Sequence, residues 1–223
     1  MRAAPYHSRR EAGMLPVIML NRRDALVAGA LLAACGGAQK KGDDDDKDDD
    51  DDVTPNEDLM REHGGLRRIL LIYAAAGPKG DDASVTACAK LVRSFVEDYH
   101  EHLEETYIFP RLEKGPHESL VATLRLQHQA GRRLTDQLLA NPKDGAALAA
   151  FQKMYAPHAA FEDTLLFPAW KKAVGKKAYN ELGEQFEDIE TKQLGKQGFE
   201  HVLAQIAEIE KNVGIADIGI YTP

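Results

Sequence analysis

A motif of histidine, glutamate and a closing Phe-Pro pair occurs twice in this chain and limits the folds that it can adopt. The first copy runs from His100 to Pro110 and the second from His158 to Pro168. In each copy a Glu follows the His by four residues, as Glu104 follows His100. Side chains at this spacing project from the same face of an α-helix. The repeat therefore predicts two similar helices, each presenting one imidazole and one carboxylate.

From residue 55 onward, apolar residues recur at helical spacing and no segment gives a convincing strand pattern. Glycine and proline pairs such as Gly77-Pro78 interrupt this pattern and predict helix ends. The predicted helices cover about residues 56–76, 82–112, 116–140, 145–174 and 180–212. Short connections favour antiparallel neighbours. The predicted fold is therefore all-α, with an up-down-up-down four-helix bundle over residues 56–175. An additional C-terminal helix in residues 176–223 is predicted to pack outside this bundle.

Each predicted bundle helix carries a His on its apolar side, and the second and fourth helices add a Glu. In chain order these residues are His63, His100, Glu104, His128, His158 and Glu162. A carboxylate on an apolar stripe costs several kcal/mol unless it is paired or bound to a metal. A lone core His needs no special explanation, but core packing does not require this order on four successive helices. The set predicts a dinuclear site of imidazole and carboxylate ligands, which suits iron, manganese or zinc.

The second helix is less clear, because its apolar stripe points between His100 and His102. Alignment of the two motif copies selects His100 together with Glu104. His102 is then either a fifth imidazole or, in the preferred interpretation, a surface residue. Glu101 and Glu105 are candidates for groups beside the metal or at its entrance, although exposed acids are commoner on helices.

The first 35 residues have the features of an export signal. The basic pair Arg22-Arg23 precedes an apolar stretch that is too short to span a bilayer comfortably. Leu32-Ala33-Ala34-Cys35 resembles a bacterial lipobox, which implies lipidation of Cys35 and a membrane anchor at the cell envelope. The sequence around the arginines also resembles a twin-arginine signal. A short buried helix of the domain is the alternative interpretation.

The rest of the composition narrows the possible partners and cofactors. Residues 36–55 are predicted to be a disordered acidic linker, because residues 43–52 contain nine aspartates. The formal charge of −8 argues against nucleic acid as a partner. The two cysteines, Cys35 and Cys88, are too few for a disulfide framework or a thiolate zinc site. Cys88 is expected to be a small core residue.

The order His, His-x-x-x-Glu, His, His-x-x-x-Glu resembles the hemerythrin-like (HHE cation-binding) domain over about residues 56–175. The resemblance implies a non-haem, oxo- or hydroxo-bridged di-iron centre, with zinc or manganese as less expected occupants. The ligands it implies are His63, His100, Glu104, His128, His158 and Glu162. Oxygen-carrying hemerythrins have a fifth histidine where this chain has Arg132. One iron is then short of an imidazole, and its coordination is expected to be completed by water, Tyr107, Tyr155 or another Glu.

The preferred functional hypothesis is an exported di-iron binding protein that binds or senses dioxygen or a related small oxidant. An enzyme that consumes peroxide or nitric oxide is the first alternative, and an iron-handling protein is the second. A protein partner is unknown. Ferritin-type chemistry is disfavoured, because it needs two Glu-x-x-His motifs and this chain offers only the one at Glu97 and His100.

Overall fold

The computed structural model describes residues 53–223, and the regular structure of this part is helical throughout. Six long helices follow one another: α1 (Pro55–Ala76), α2 (residues 82–112), α3 (Glu118–Ala140), α4 (residues 145–174), α5 (Lys176–Leu194) and α6 (Gly198–Val213). Short 3₁₀ turns lie at Gly77–Lys79 and Ile218–Tyr221. The predicted signal peptide with Cys35, and the aspartate tract, lie outside the described residues. Within residues 53–223, no helix has both the length and the apolar character needed to cross a bilayer.

Polar side chains fix the beginnings of three helices. Thr54 precedes α1: its hydroxyl accepts from the backbone N–H of Glu57, and its own N–H donates to the Glu57 carboxylate at 2.9 Å. Asp81 and Asp144 cap α2 and α4 by accepting from backbone N–H groups three residues later. Each cap satisfies a donor that the first helical turn leaves free.

The two motif copies share a local widening of the helix. In α2, the α-helical segments Asp82–Leu91, Glu101–Leu103 and Phe109–Leu112 alternate with π-helical segments Val92–His100 and Glu104–Ile108. In α4, the π-helical segment Glu162–Leu166 separates Gly145–Phe161 from Phe167–Val174. The second and third π segments begin at the motif Glu and end just before Phe-Pro. Proline has no N–H and crowds the preceding turn, so the wider turn is a physical consequence of the motif.

The first four helices pack around one core, α1 against α2 and α4, and α3 against α2 and α4. The apolar residues that recur at helical spacing in α1 face this core, because Leu59, Leu66, Leu70 and Tyr73 are all buried. Cys88 is also fully buried in this core, and burial raises the pKa of its thiol to about 12. It therefore packs as a small apolar side chain and holds no thiolate at neutral pH.

The prediction of one C-terminal helix is wrong, since two helices occupy that region. Gly195 and Gly198 have positive φ values of 85° and 50°, which turn the chain between α5 and α6. A Cβ at Gly198 would lie 2.0 Å from the Glu190 carboxylate, so a larger residue does not fit there. Both helices pack on the first four: Phe199 of α6 stacks on Phe95 at 5.2 Å. Helical periodicity alone continues through this turn and hides it.

A group of three carboxylates, Asp58, Glu62 and Glu190, lies where α5 and α6 meet α1. Burial, together with repulsion from Glu62 and Glu190, raises the pKa of Asp58 to about 6 although Arg61 opposes the shift. A folded pKa above the unfolded value of 3.8 means that ionised Asp58 opposes folding. The destabilisation by ionised Asp58 is absent at low pH, grows between the two pKa values and is complete above pH 6.

Asp58→Asn is therefore expected to raise the free energy of unfolding by about 1 kcal/mol at pH 8, after allowance for partial exposure. The gain should be less than half as large at pH 4.5, because the wild-type carboxyl is then largely protonated in the folded state. Urea unfolding of both proteins at the two pH values measures the difference. An equal increase in the free energy of unfolding at both pH values would contradict the raised pKa of Asp58.

Candidate metal centre

Six polar side chains meet in the interior between α1, α2, α3 and α4, and none is more than 3% exposed. They come from all four helices: His63, His100, Glu104, His128, His158 and Glu162. The structure thus brings together the whole set of residues that the sequence singled out. The repeat predicted that His100, and not His102, faces inward from α2. This prediction is confirmed, because His100 is buried and His102 is exposed.

The four imidazoles present Nε2 to the two carboxylates. The Glu104 oxygens lie 3.4 Å from Nε2 of His100 and 3.3 Å from Nε2 of His128. The Glu162 oxygens lie 3.0 Å from Nε2 of His158, 3.4 Å from that of His63 and 3.8 Å from that of His128. The Nε2 atoms of His63 and His100 are 3.0 Å apart. These atoms form two groups that share Glu104, with ligand atoms within 4.8 Å of one another in each.

These distances fit a bound cation better than a set of hydrogen bonds. Both oxygens of Glu104, both oxygens of Glu162 and Nε2 of His128 are buried without a hydrogen-bond partner. Burial and mutual repulsion push the pKa of Glu104 upward, but His100 and His128 outweigh them and the net pKa falls. The pKa of Glu162 is well below its usual value, because three imidazoles surround it. Two ionised carboxylates without donors are costly in a protein interior, and a bound cation would offset that cost.

The outward nitrogen of each imidazole has its own partner. Nδ1 of His63 lies 2.6 Å from Asp163, that of His100 lies 2.6 Å from Glu62, and that of His128 lies 2.9 Å from Glu105. The fourth contact joins Nδ1 of His158 to the amide oxygen of Gln127 at 2.9 Å. Such contacts place the proton on Nδ1, leave Nε2 free to bind a metal, and fix the ring orientation.

Two arginines hold these outer carboxylates in place. Arg67 contacts Asp163 at 2.5 Å. Arg132 contacts both Glu105 and Glu101 at 2.9 Å. Arg132, which stands at the position of the fifth histidine of oxygen-carrying hemerythrins, therefore acts on the outer groups. Burial acts to raise the pKa of Glu105, but His128 and Arg132 outweigh it and lower that pKa to about 2, so the carboxylate is charged at neutral pH.

The other predicted candidates lie outside this inner group. His102 is exposed, and the Tyr107 hydroxyl accepts from Gln185 of α5 at 3.0 Å. The Tyr155 hydroxyl donates to Glu101 at 2.7 Å. Glu101 is fully buried, so the expectation of an exposed acid is wrong there. Burial raises the pKa of Glu101 to about 7, although His128, Tyr155 and Arg132 all act to lower it.

The phenylalanines of the two Phe-Pro pairs cover the cluster at its ends. Phe109 stacks on His128 with ring centroids 5.2 Å apart, and Phe167 stacks on His63 at 5.5 Å. Each Phe therefore packs against the single histidine of another helix. The Phe-Pro pairs thus shape the local helix and also keep two imidazoles from turning.

Sequence reasoning did not identify four residues that contact the imidazoles or their partners: Glu62, Asp163, Gln127 and Arg67. A signal for them exists in the chain. Each lone His follows Glu62 or Gln127 directly and precedes an arginine by four residues, and each motif Glu precedes an acid. These polar positions of α1 and α3 become informative once their contacts are known.

Comparison with known proteins agrees with this centre. The chain matches the hemerythrin HHE cation binding domain over residues 54–170, which is more than half of its length. Uncharacterized proteins of Mycobacterium tuberculosis and Mycobacterium bovis are 42% identical to it over 186 residues, covering 75% of this chain and 73% of theirs. No solved structure gives a significant match. The chain therefore belongs to the hemerythrin family of HHE cation-binding domain proteins, and its buried His and Glu clusters are compatible with metal binding.

Proposed function

We propose that α1 to α4 form an up-down-up-down bundle whose six inward residues hold two iron ions, and that the protein binds or senses dioxygen or a related small oxidant. The observation that carries the proposal is the pair of buried carboxylates, Glu104 and Glu162, whose oxygens lack hydrogen-bond donors. Imidazole and carboxylate ligands suit iron, and zinc or manganese can occupy similar sets. The family is defined by cation binding, which supports a metal at this place.

The side chains suggest how the two positions are built. His63 and His100 belong to one group of ligand atoms and His128 and His158 to the other, while the Glu104 carboxylate reaches both. Glu162 also faces imidazoles of both groups. Iron supplies a redox-active site with coordination positions left over for a small ligand. The outer carboxylates fix the orientation of three of the imidazoles.

The proposal also places the protein at the cell envelope. Its basis is the lipobox-like sequence that ends at Cys35, together with the preceding arginine pair and apolar stretch. The aspartate-rich residues 43–52 would then separate the metal-binding domain from the membrane surface.

Protein purified without chelator is expected to contain about two iron ions per chain and to gain near-ultraviolet and visible absorption when the reduced form meets oxygen. Metal analysis and anaerobic optical titration measure both. A colourless iron-loaded protein would contradict oxidant binding, and a protein that holds only zinc would contradict the choice of iron. Continuous consumption of peroxide or nitric oxide at steady state would support the enzyme alternative, because a binding protein stops after stoichiometric uptake.

A further inference from the structure

The contacts around the metal centre repeat between the first and second pairs of helices. The matched residues are Glu62 with Gln127, His63 with His128, Arg67 with Arg132, His100 with His158, Glu104 with Glu162, and Glu105 with Asp163. In each pair of helices, the residue before the lone His contacts Nδ1 of the His on the next helix. Each arginine holds the acid that follows a motif Glu. The two metal positions therefore have nearly the same surroundings.

Gln127 breaks this correspondence. It replaces a carboxylate by a neutral amide, so His158 is the one ligand imidazole whose Nδ1 does not contact a carboxylate. Its counterpart, Glu62, contacts His100 at 2.6 Å. A carboxylate on the outer nitrogen increases the electron donation of an imidazole to its metal, and an amide does so less. The imidazole pair at the metal position that includes His158 is therefore the weaker electron donor of the two pairs.

A groove between α3 and α4 reaches Gln127 and His158. It encloses about 470 Å³, within the size range of small-molecule sites. Its walls are mainly apolar, and Gln127 and His158 contribute polar groups to its lining. Phe161 and Leu165 at the groove are 52% and 47% exposed, so it is open to solvent. Of the six inward residues, His158 alone lines this groove.

We propose that the metal position containing His128 and His158 is the one that takes the external ligand, and that Gln127 is the positioning residue responsible for this choice. The proposal rests on the proposed function, because it requires a metal-loaded centre. Weaker donation from its imidazoles favours an anionic or electron-rich small ligand at this position, and the apolar groove between α3 and α4 is the route of that ligand from solvent. Gln127 is only partly buried, so its side chain can move while the helix stays in place.

Azide binding to the oxidised, iron-loaded full chain tests the role of Gln127. Gln127→Glu keeps the size of the side chain and is expected to raise the azide dissociation constant about tenfold when both proteins are compared at the same iron loading. Glu62→Gln is the matched control, since it makes the reverse exchange beside His100. Its effect on azide affinity is expected to be much smaller. Optical titration gives both constants, and metal analysis gives the iron content of each variant.

The route is tested by the rate of azide association in stopped flow. Thr123 is exposed on α3 and lines the groove, so Thr123→Trp is expected to slow association severalfold without loss of iron. Thr106→Trp, at an exposed position of α2 away from the groove, is expected to leave the rate unchanged.

The outcomes separate this proposal from the function on which it rests. Equal shifts of azide affinity in Gln127→Glu and Glu62→Gln would overturn the role of Gln127 and leave the di-iron centre in place. An unchanged rate in Thr123→Trp would overturn the groove as the route. Wild-type protein without bound iron would overturn both this proposal and the proposed function.

Discussion

Glu162→Gln is expected to abolish stoichiometric metal binding. The Glu162 carboxylate lies within 3.4 Å of Nε2 atoms from both groups of ligand atoms, those of His63 and His158. An amide of the same size keeps the packing but removes the negative charge that a cation requires. Metal binding and folding are coupled, so added iron should no longer raise the thermal unfolding temperature.

The measurements are metal content after purification and thermal unfolding with and without iron. Glu181→Gln is the control, because Glu181 is exposed on α5, where its ion pair with Lys177 spans 3.8 Å at the surface. Glu181→Gln should keep its metal content, and added iron should still raise its thermal unfolding temperature. Full metal content in Glu162→Gln would refute the ligand assignment, however well the variant folds.

Gly131→Ala is expected to lower the free energy of unfolding by about 2 kcal/mol, although alanine is the better helix former. A Cβ at Gly131 would lie 1.9 Å from the Tyr155 hydroxyl oxygen and 2.7 Å from its ring carbon Cζ. Tyr155 is fully buried, packs 4.4 Å from the Phe151 ring and donates to Glu101, so it has little room to move. Relief of the overlap must then shift α3 against α4.

Gly64→Ala on α1 is the matched control. An added Cβ meets nothing within 4 Å there, and the change should stabilise the protein by about 0.5–1 kcal/mol through helix propensity. Urea unfolding of both variants measures the two effects, which should have opposite signs. Stabilisation in both would mean that the contact between α3 and Tyr155 is looser than these distances indicate.

Several elements could be predicted because their causes are local. The α4 boundaries match the predicted range of 145–174, since Asp144 caps one end and Gly175 ends the other. The burial of His100 followed from the repeated motif rather than from periodicity, which could not separate it from His102. The turn between α5 and α6 was missed, because apolar residues keep a helical spacing on both sides of it.

The His and Glu spacing on four amphipathic segments determined, by itself, which side chains face inward, because helical geometry places residues four apart on one face. The family resemblance came from the same pattern. Only the tertiary structure decided which outer group meets which imidazole. Asp163 contacts a histidine 100 residues away, and such long-range pairing depends on how helices pack. The same packing placed Gln127 beside His158 at the groove between α3 and α4, which sequence spacing does not encode.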